Sequence, residues 1–409
     1  MKNLAEFRRG YKPLLGAAIG AGCGLSSIGF YTHGAFAAAI ATDTGWTRGA
    51  IQVGVSIMIL AGAITAPTMG WVIDRYGARR VALFSLPMFG ITLAGLSFAT
   101  ESIWTYYAGW VLMSIVAAGT LPTTWTRVVI DWFDDYRGIA LGLTMGGTGL
   151  AATLAPGYVT WLIGLSGWRT AYVVLGGTIM IIALPVVYAL FRVRPDNPAR
   201  AQKDSPGTDR YDGVTLMQAL TGYRFWVMVV SIVLVAFGIS GLITNLMPLL
   251  MDKGLVAAEA AYYAGLIGIS VIVGRLLAGF LLDHVWAPLI ACVFLGAPGI
   301  AALLLSYETL TPLWIGGVAL IIGLAAGAEL DLMAFLASRY FGLRHYGALY
   351  GGVYVAFSLG AGLAPAAFGL AYDEVGSYES ILRFVTAISL VGALLMLTLG
   401  RYPKWPRAT

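Results

Sequence analysis

The chain has 409 residues, of which 59% are hydrophobic and 11% charged, with a formal net charge of +5. A soluble domain carries about 25% charged residues, so composition excludes an ordinary water-soluble fold. Long apolar runs of about 20 residues, the length that crosses a bilayer as helix, recur instead, and the alternating segments of a β-barrel are absent.

The opening stretch MKNLAEFRRGYKP is polar, and the apolar run after it is too long for the core of a cleavable signal peptide. That run is expected to stay in the membrane as the first of twelve spans. Their approximate limits are 14–41, 49–73, 80–100, 103–130, 137–165, 168–192, 224–250, 259–283, 286–306, 311–337, 345–372 and 378–400. The longest imply tilt or kinks. Pro122, Pro156 and Pro365 fall inside spans, where neighbouring helices can satisfy the freed carbonyls. Cys23 and Cys292 each sit in an apolar run and read as packing residues, not as a disulfide or a metal pair. Span one holds the only intramembrane histidine, His33, in GFYTHGAF. Imidazole titrates near neutral pH and suits a proton site; a neutral histidine bonded to substrate or backbone fits the same position.

Tyr31, Trp125 and Asn245 lie in spans expected to line a cavity. On span five, Gly138, Gly142, Gly146 and Gly149 form a stripe that reads as a close helix contact, echoed by Gly347, Gly351, Ser358 and Gly362 on span eleven. Tyr346, Tyr350, Tyr354 and Phe357 run along one face of span eleven, a pattern that more often serves packing than ligand binding. Asp131, Asp134 and Asp135 around Arg137 form a solvated charge cluster, and no P-loop or metal-ligand spacing is present. No cofactor, metal, nucleic-acid partner or enzyme activity is expected, and the chain is read as a monomer.

One long polar connection, FRVRPDNPARAQKDSPGTDRYDGV, carries both charge signs with proline and glycine. It divides the chain into a first six-span half (1–192), a linker (193–223) and a second half (224–409). The halves repeat at an offset of 209 residues: Gly70 matches Gly279, Asp74 matches Asp283, Gly138 matches Gly347, and Pro156 matches Pro365. Such duplication places a substrate site near the midplane, where the repeats meet. With both termini in the cytoplasm, only Arg48, Arg169, Lys253 and Arg383 fall outside, so the charge asymmetry sets the orientation. The expected location is a bacterial inner membrane.

The knot MGWVIDRYGARRV, from Met69 to Val81, interrupts two apolar runs with Gly70, Asp74, Arg75, Gly77, Arg79 and Arg80. It resembles the signature loop of the major facilitator superfamily between helices two and three. The resemblance implies twelve transmembrane helices in two pseudo-symmetric halves, and a gating latch in which the aspartate meets a helix end and neighbouring charges. Asp283 occupies the equivalent place in the second half, but DHVWAP lacks the basic residues, so a weaker latch is expected there.

Arg275, in GLIGISVIVGRLLAGFLLD, stands inside span eight. A charge in a membrane helix costs roughly 2.5–3.5 kcal/mol on insertion scales, so it should face water and meet an anion, and guanidinium grips a carboxylate with two parallel hydrogen bonds. Glu329 and Asp331 are the only carboxylates deep in a span. Two residues apart, they lie roughly 200° apart on a helix, so one faces the cavity or Arg275 while the other packs elsewhere. A protonatable pair could couple transport to protons or could merely compensate Arg275. GRLLAGFLLD, WFDDYRGIALGLTMGGTGLAA and FGLRHYGALYG resemble the monocarboxylate transporters and oxalate–formate antiporters, and the resemblance implies that Arg275 binds the substrate carboxylate. Val271 stands where the monocarboxylate transporters carry an aspartate, and Val353 where the oxalate carrier has a lysine. One cavity cation favours a single carboxylate. The expected function is proton-coupled symport of a small organic anion, most simply a monocarboxylate. The alternatives are an anion antiporter or drug exporter of the same fold and, from another class, a non-transporting membrane sensor.

Overall fold

A computed structural model describes residues 5–133, 136–193, 213–307, 311–342 and 344–403, without the side chains of Ala5, Arg137 and Asp283. Outside the described residues lie most of the linker (194–212), Asp134, Asp135, and Lys2, Arg194, Arg200, Lys203, Arg210, Lys404 and Arg407, cations expected on the cytoplasmic side.

Helices account for nearly all the rest. They are α1 (Ala5–Gly22), α2 (His33–Thr44), α3 (Arg48–Tyr76), α4 (Ala78–Gly95), α5 (Ile103–Val116), α6 (Pro122–Trp132), α7 (Arg137–Thr178) and α8 (Leu184–Leu190). After the linker come α9 (Leu216–Thr221), α10 (Tyr223–Asp252), α11 (Ala257–His284), α12 (Ala287–Leu305), α13 (Pro312–Phe341), α14 (Tyr346–Val375) and α15 (Glu379–Leu397). Among the described residues the β pairing is one isolated bridge, Gly213 with Gly342.

Among the described residues, ten stretches are long and apolar enough to cross a membrane. One of them, Gly138–Leu190, is 53 residues long and is broken at Gly167, whose φ of 78° is open to glycine, so it supplies two crossings. A further crossing comes from α5 and α6 together, which completes the twelve of a multi-pass membrane protein. Two crossings are less regular than the sequence suggests. The first contains a π turn, Leu25–Gly29, between α1 and α2. The fourth breaks after Val116, and Pro122 opens α6 at its first turn, where a missing N–H costs nothing, rather than sitting mid-helix.

Local chemistry sets the helix ends. Thr47 caps α3 by accepting the Ala50 N–H at 3.3 Å, and Gly77, with φ 87°, ends it. Thr215 and Gln218 form a reciprocal capping box on the short α9. Exposed large apolar side chains such as Ile64, Leu154, Ile181 and Leu276 cover the helix faces, as lipid-facing surfaces require.

The chain packs as two compact units. One comprises Met1–Asn197, Ile243–Ile269 and Pro365–Gly376; the other comprises Pro198–Leu242, Ser270–Ala364 and Ser377–Thr409. Within the first, the tightest helix approach is made by Gly147, where an added methyl would overlap the Ala18 carbonyl. Of the stripe expected to make a close contact, Gly138, Gly142 and Gly146 have open space where a side chain would go, whereas Gly149 does meet a neighbour, its carbonyl filling the space beside Gly268 of α11. Gly138, Gly142 and Gly146 lie roughly 100–180° round the helix from Gly147, the residue that touches Ala18. In the second unit, α11 and α13 press together through Gly274 and Gly327, with no room for a side chain at either. That crossing fixes the two residues beside it, Arg275 and Asp331.

Candidate functional site

Arg275 projects from α11 one residue past the Gly274 contact. The lipid-facing stripe of α11 is Ile269, Val273, Leu276 and Phe280, all about half or more exposed. At about 100° per residue, Arg275 points roughly 130° away from that stripe. Its Nε lies 3.6 Å from Asp331 Oδ2 of α13, with side chains 18% and 40% exposed. At 3.6 Å this is an ion pair without a hydrogen bond, and Nε has no hydrogen-bond partner among the described residues. Asp331 stands 20 residues into its helix's sequence run from Thr311, far from either end. Charges at that depth cannot face lipid cheaply. Glu329 does not join them. It is 3% exposed, and its Oε1 has no hydrogen-bond partner among the described residues. The two carboxyls of α13 therefore occupy different surroundings. On α14, Tyr350 lies within electrostatic range of both Arg275 and Asp331, and Tyr354 follows one turn on.

His33 and Asn245 meet in the first unit, around Gln52. His33 is 1% exposed, sits edge-on to Trp110 with centroids 5.6 Å apart, and makes no well-formed hydrogen bond to a described residue through either ring nitrogen. Gln52 donates to Asn245 Oδ1 at 2.8 Å, and Asn245 donates to Thr244 Oγ1 at 3.2 Å. Gln52 Oε1, Trp110 Nε1, Tyr106 OH and Tyr172 OH also lack well-formed partners among the described residues, although Tyr106 lies within reach of Trp110 and Tyr172, and His33 within reach of Gln52. Tyr31 is half-buried, edge-on to Phe30. Trp125 is fully buried: its ring covers Gly20, its edge meets Phe191, and its indole N–H donates to the Thr120 carbonyl at 2.8 Å.

The Asp74 loop is loosely held. Asp74 is 73% exposed and lies 3.9 Å from Arg127, which in turn is 3.8 Å from Asp131. Arg75 lies over the rings of Trp71 and Tyr76. Arg79 has a firmer place, donating to the Phe191 and Tyr188 carbonyls at 2.8 and 2.9 Å and so capping the C-terminal end of α8. Gly70 faces open space, and the Asp283 side chain lies outside the described residues.

Sequence reasoning missed a second charged cluster in the first unit. Arg48 makes a two-pronged salt bridge to Asp252, both hydrogen bonds 2.6 Å long. Asp373 accepts the backbone N–H groups of Arg48 and Gly49 at 3.0 and 2.9 Å, and the Arg48 guanidinium lies 3.9 Å over the Tyr372 ring. Two turns further along α3, Ser56 accepts the Ala366 N–H at 3.2 Å. The one signal in the sequence was that Arg48 is among the few cations on the positive-poor side.

The model of the Major Facilitator Superfamily matches residues 19–365. An uncharacterized 38 kDa protein of Thermoproteus tenax is 29% identical over 92% of this chain and 92% of its own. Human monocarboxylate transporter 11 is 25% identical over 88% of this chain and 75% of its own. A probable sulfoacetate transporter of Cupriavidus necator is 24% identical over 80% of each. Among solved structures, a bacterial homologue of the human lysosomal transporter Spinster aligns over 98% of this chain and 97% of its own, with a TM-score of 0.69 at 16% identity.

Proposed function

Because the chain belongs to the major facilitator superfamily, we propose that it is a secondary active transporter of small organic anions that docks a monocarboxylate on Arg275 and carries it with a proton. One observation carries the proposal. Arg275 is a largely buried guanidinium in the middle of an apolar helix whose ion-pair partner, Asp331, stands too far off to hydrogen-bond. A substrate carboxylate can displace Asp331 and form the two parallel bonds that the fork geometry favours. Similarity to a monocarboxylate transporter and a sulfoacetate transporter supports an anionic substrate.

The proton would ride on a carboxyl of α13. Substrate binding frees Asp331 from its cation, and Glu329 is a buried carboxyl that forms no ion pair among the described residues; either fits a group that changes its proton as access alternates. We keep the division into two repeated halves, 1–192 and 224–409, as the frame for that movement. The chain is read as a monomer in a bacterial inner membrane with both termini inside. In that orientation the Arg48 cluster lies at the outer face and the Asp74 loop at the inner face, so the two clusters are candidate outer and inner gates.

Reconstitution into proteoliposomes tests the coupling. Symport predicts that an imposed inward pH gradient alone drives uptake of labelled lactate or benzoate. Uptake that ignores the gradient and requires a second anion inside the vesicle would replace symport with exchange.

A further inference from the structure

The Arg275 site grips the charge of the substrate; α14 bears on the rest of that molecule. Tyr346, Tyr350, Tyr354 and Phe357 form a continuous row. Successive centroids lie 5.7, 6.4 and 5.6 Å apart, and successive planes are inclined by 14°, 34° and 32°. Spacings of four, four and three residues put all four rings on one face, over roughly 16 Å of helix.

Two features argue that this face is open. The lipid-facing stripe of the same helix is Val355, Leu359 and Leu363, each about half exposed. The ring row lies roughly opposite that stripe at 100° per residue, so it is not the belt of aromatics that marks a membrane interface. The packed face lies between, at Leu349, Val353 and Ala356, all 4% exposed or less. The rings themselves stay only half-buried. A face turned from lipid and not fully buried is available to line a substrate path. The row also meets the charged pair, since Tyr350 is within electrostatic range of Arg275 and Asp331.

We propose that the Tyr346–Phe357 row is the subsite for the body of the substrate, and that the preferred substrate is therefore a monocarboxylate bearing an aromatic ring, of the benzoate or phenylacetate kind. The inference rests on Arg275 as the anion dock. A flat ring can lie against a tilted row of aromatic faces and edges while its carboxylate, one or two bonds away, reaches the guanidinium. Aromatic pairs gain over area burial alone by an amount worth about two- to tenfold in affinity. A saturated ring of the same size buries similar area without that gain.

The test measures binding of benzoate, phenylacetate, cyclohexanecarboxylate and lactate to the full chain in detergent at pH 7, where all four are anions. Wild type should bind the aromatic acids about two- to tenfold more tightly than cyclohexanecarboxylate. Tyr350→Leu and Tyr354→Leu should erase that preference by weakening only the aromatic acids, while Tyr350→Phe, which keeps the ring, retains it and controls for folding. Arg275→Ala should abolish binding of all four. If cyclohexanecarboxylate or lactate binds as tightly as benzoate and still requires Arg275, the aromatic subsite is overturned and the anion dock stands. If no carboxylate binds in an Arg275-dependent way, the dock itself fails.

Discussion

The two ends of α3 are held in different ways. At its first turn, Arg48 grips Asp252 with two 2.6 Å hydrogen bonds, and Asp373 accepts two backbone N–H groups at the positive end of the helix dipole. At its last turns, Asp74 is 73% exposed and reaches only to 3.9 Å from Arg127. Charge content alone does not explain the contrast, because both ends carry arginine and aspartate. The difference lies in geometry and burial. Arg48 and Asp252 are 26% and 31% exposed and meet in the bidentate arrangement, whereas the Asp74 carboxylate faces mainly water. A latch is defined by such short, shielded contacts and not by the presence of a charged motif. On this reading α3 is locked at its Arg48 end and unlocked at its Asp74 end.

Breaking the locked end should have the largest effect. A double-mutant cycle with Arg48→Gln and Asp252→Asn, read by thermal unfolding in detergent, should give a coupling of about 1.5–3 kcal/mol, as for hydrogen bonds between charged groups. Asp373→Ala comes next, at about 1–2 kcal/mol, because it strips an acceptor from two N–H groups at the start of a helix; Asp373→Asn should lose less. The smallest effect belongs to the loose end. A cycle with Asp74→Asn and Arg127→Gln should couple by no more than about 0.5 kcal/mol. Equal couplings at the two ends would remove the comparison.

How much of this could be read from the chain depends on distance in sequence. Arg275 could be picked out because a lone cation in an apolar run calls for an anion nearby, and Asp331 stands 3.6 Å away. The separation of Glu329 and Asp331 by roughly 200° follows from helix geometry, and it is the spacing that leaves one carboxyl at Arg275 and the other buried. The Arg48 cluster was not legible: Arg48, Asp252 and Asp373 all sit near helix ends, where charges are ordinary, and they are brought together across 204 and 325 residues. Most of the glycine stripe of α7, Gly149 excepted, misled for a related reason. A small-residue pattern shows where a close contact is allowed, but which neighbour comes near is a tertiary matter, and Gly147 made the contact instead. The break after Val116 hid because Pro122 suits the start of a membrane helix as well as its middle.

The central claim is that Arg275 holds the substrate's carboxylate. Proteoliposome uptake of labelled benzoate and lactate tests it most directly, comparing wild type with Arg275→Lys and Arg275→Ala. Lysine keeps the charge but loses the planar fork, so uptake should fall roughly tenfold or more with lysine and vanish with alanine. Arg275→Ala protein that folds and still carries either acid at the wild-type rate would contradict the account.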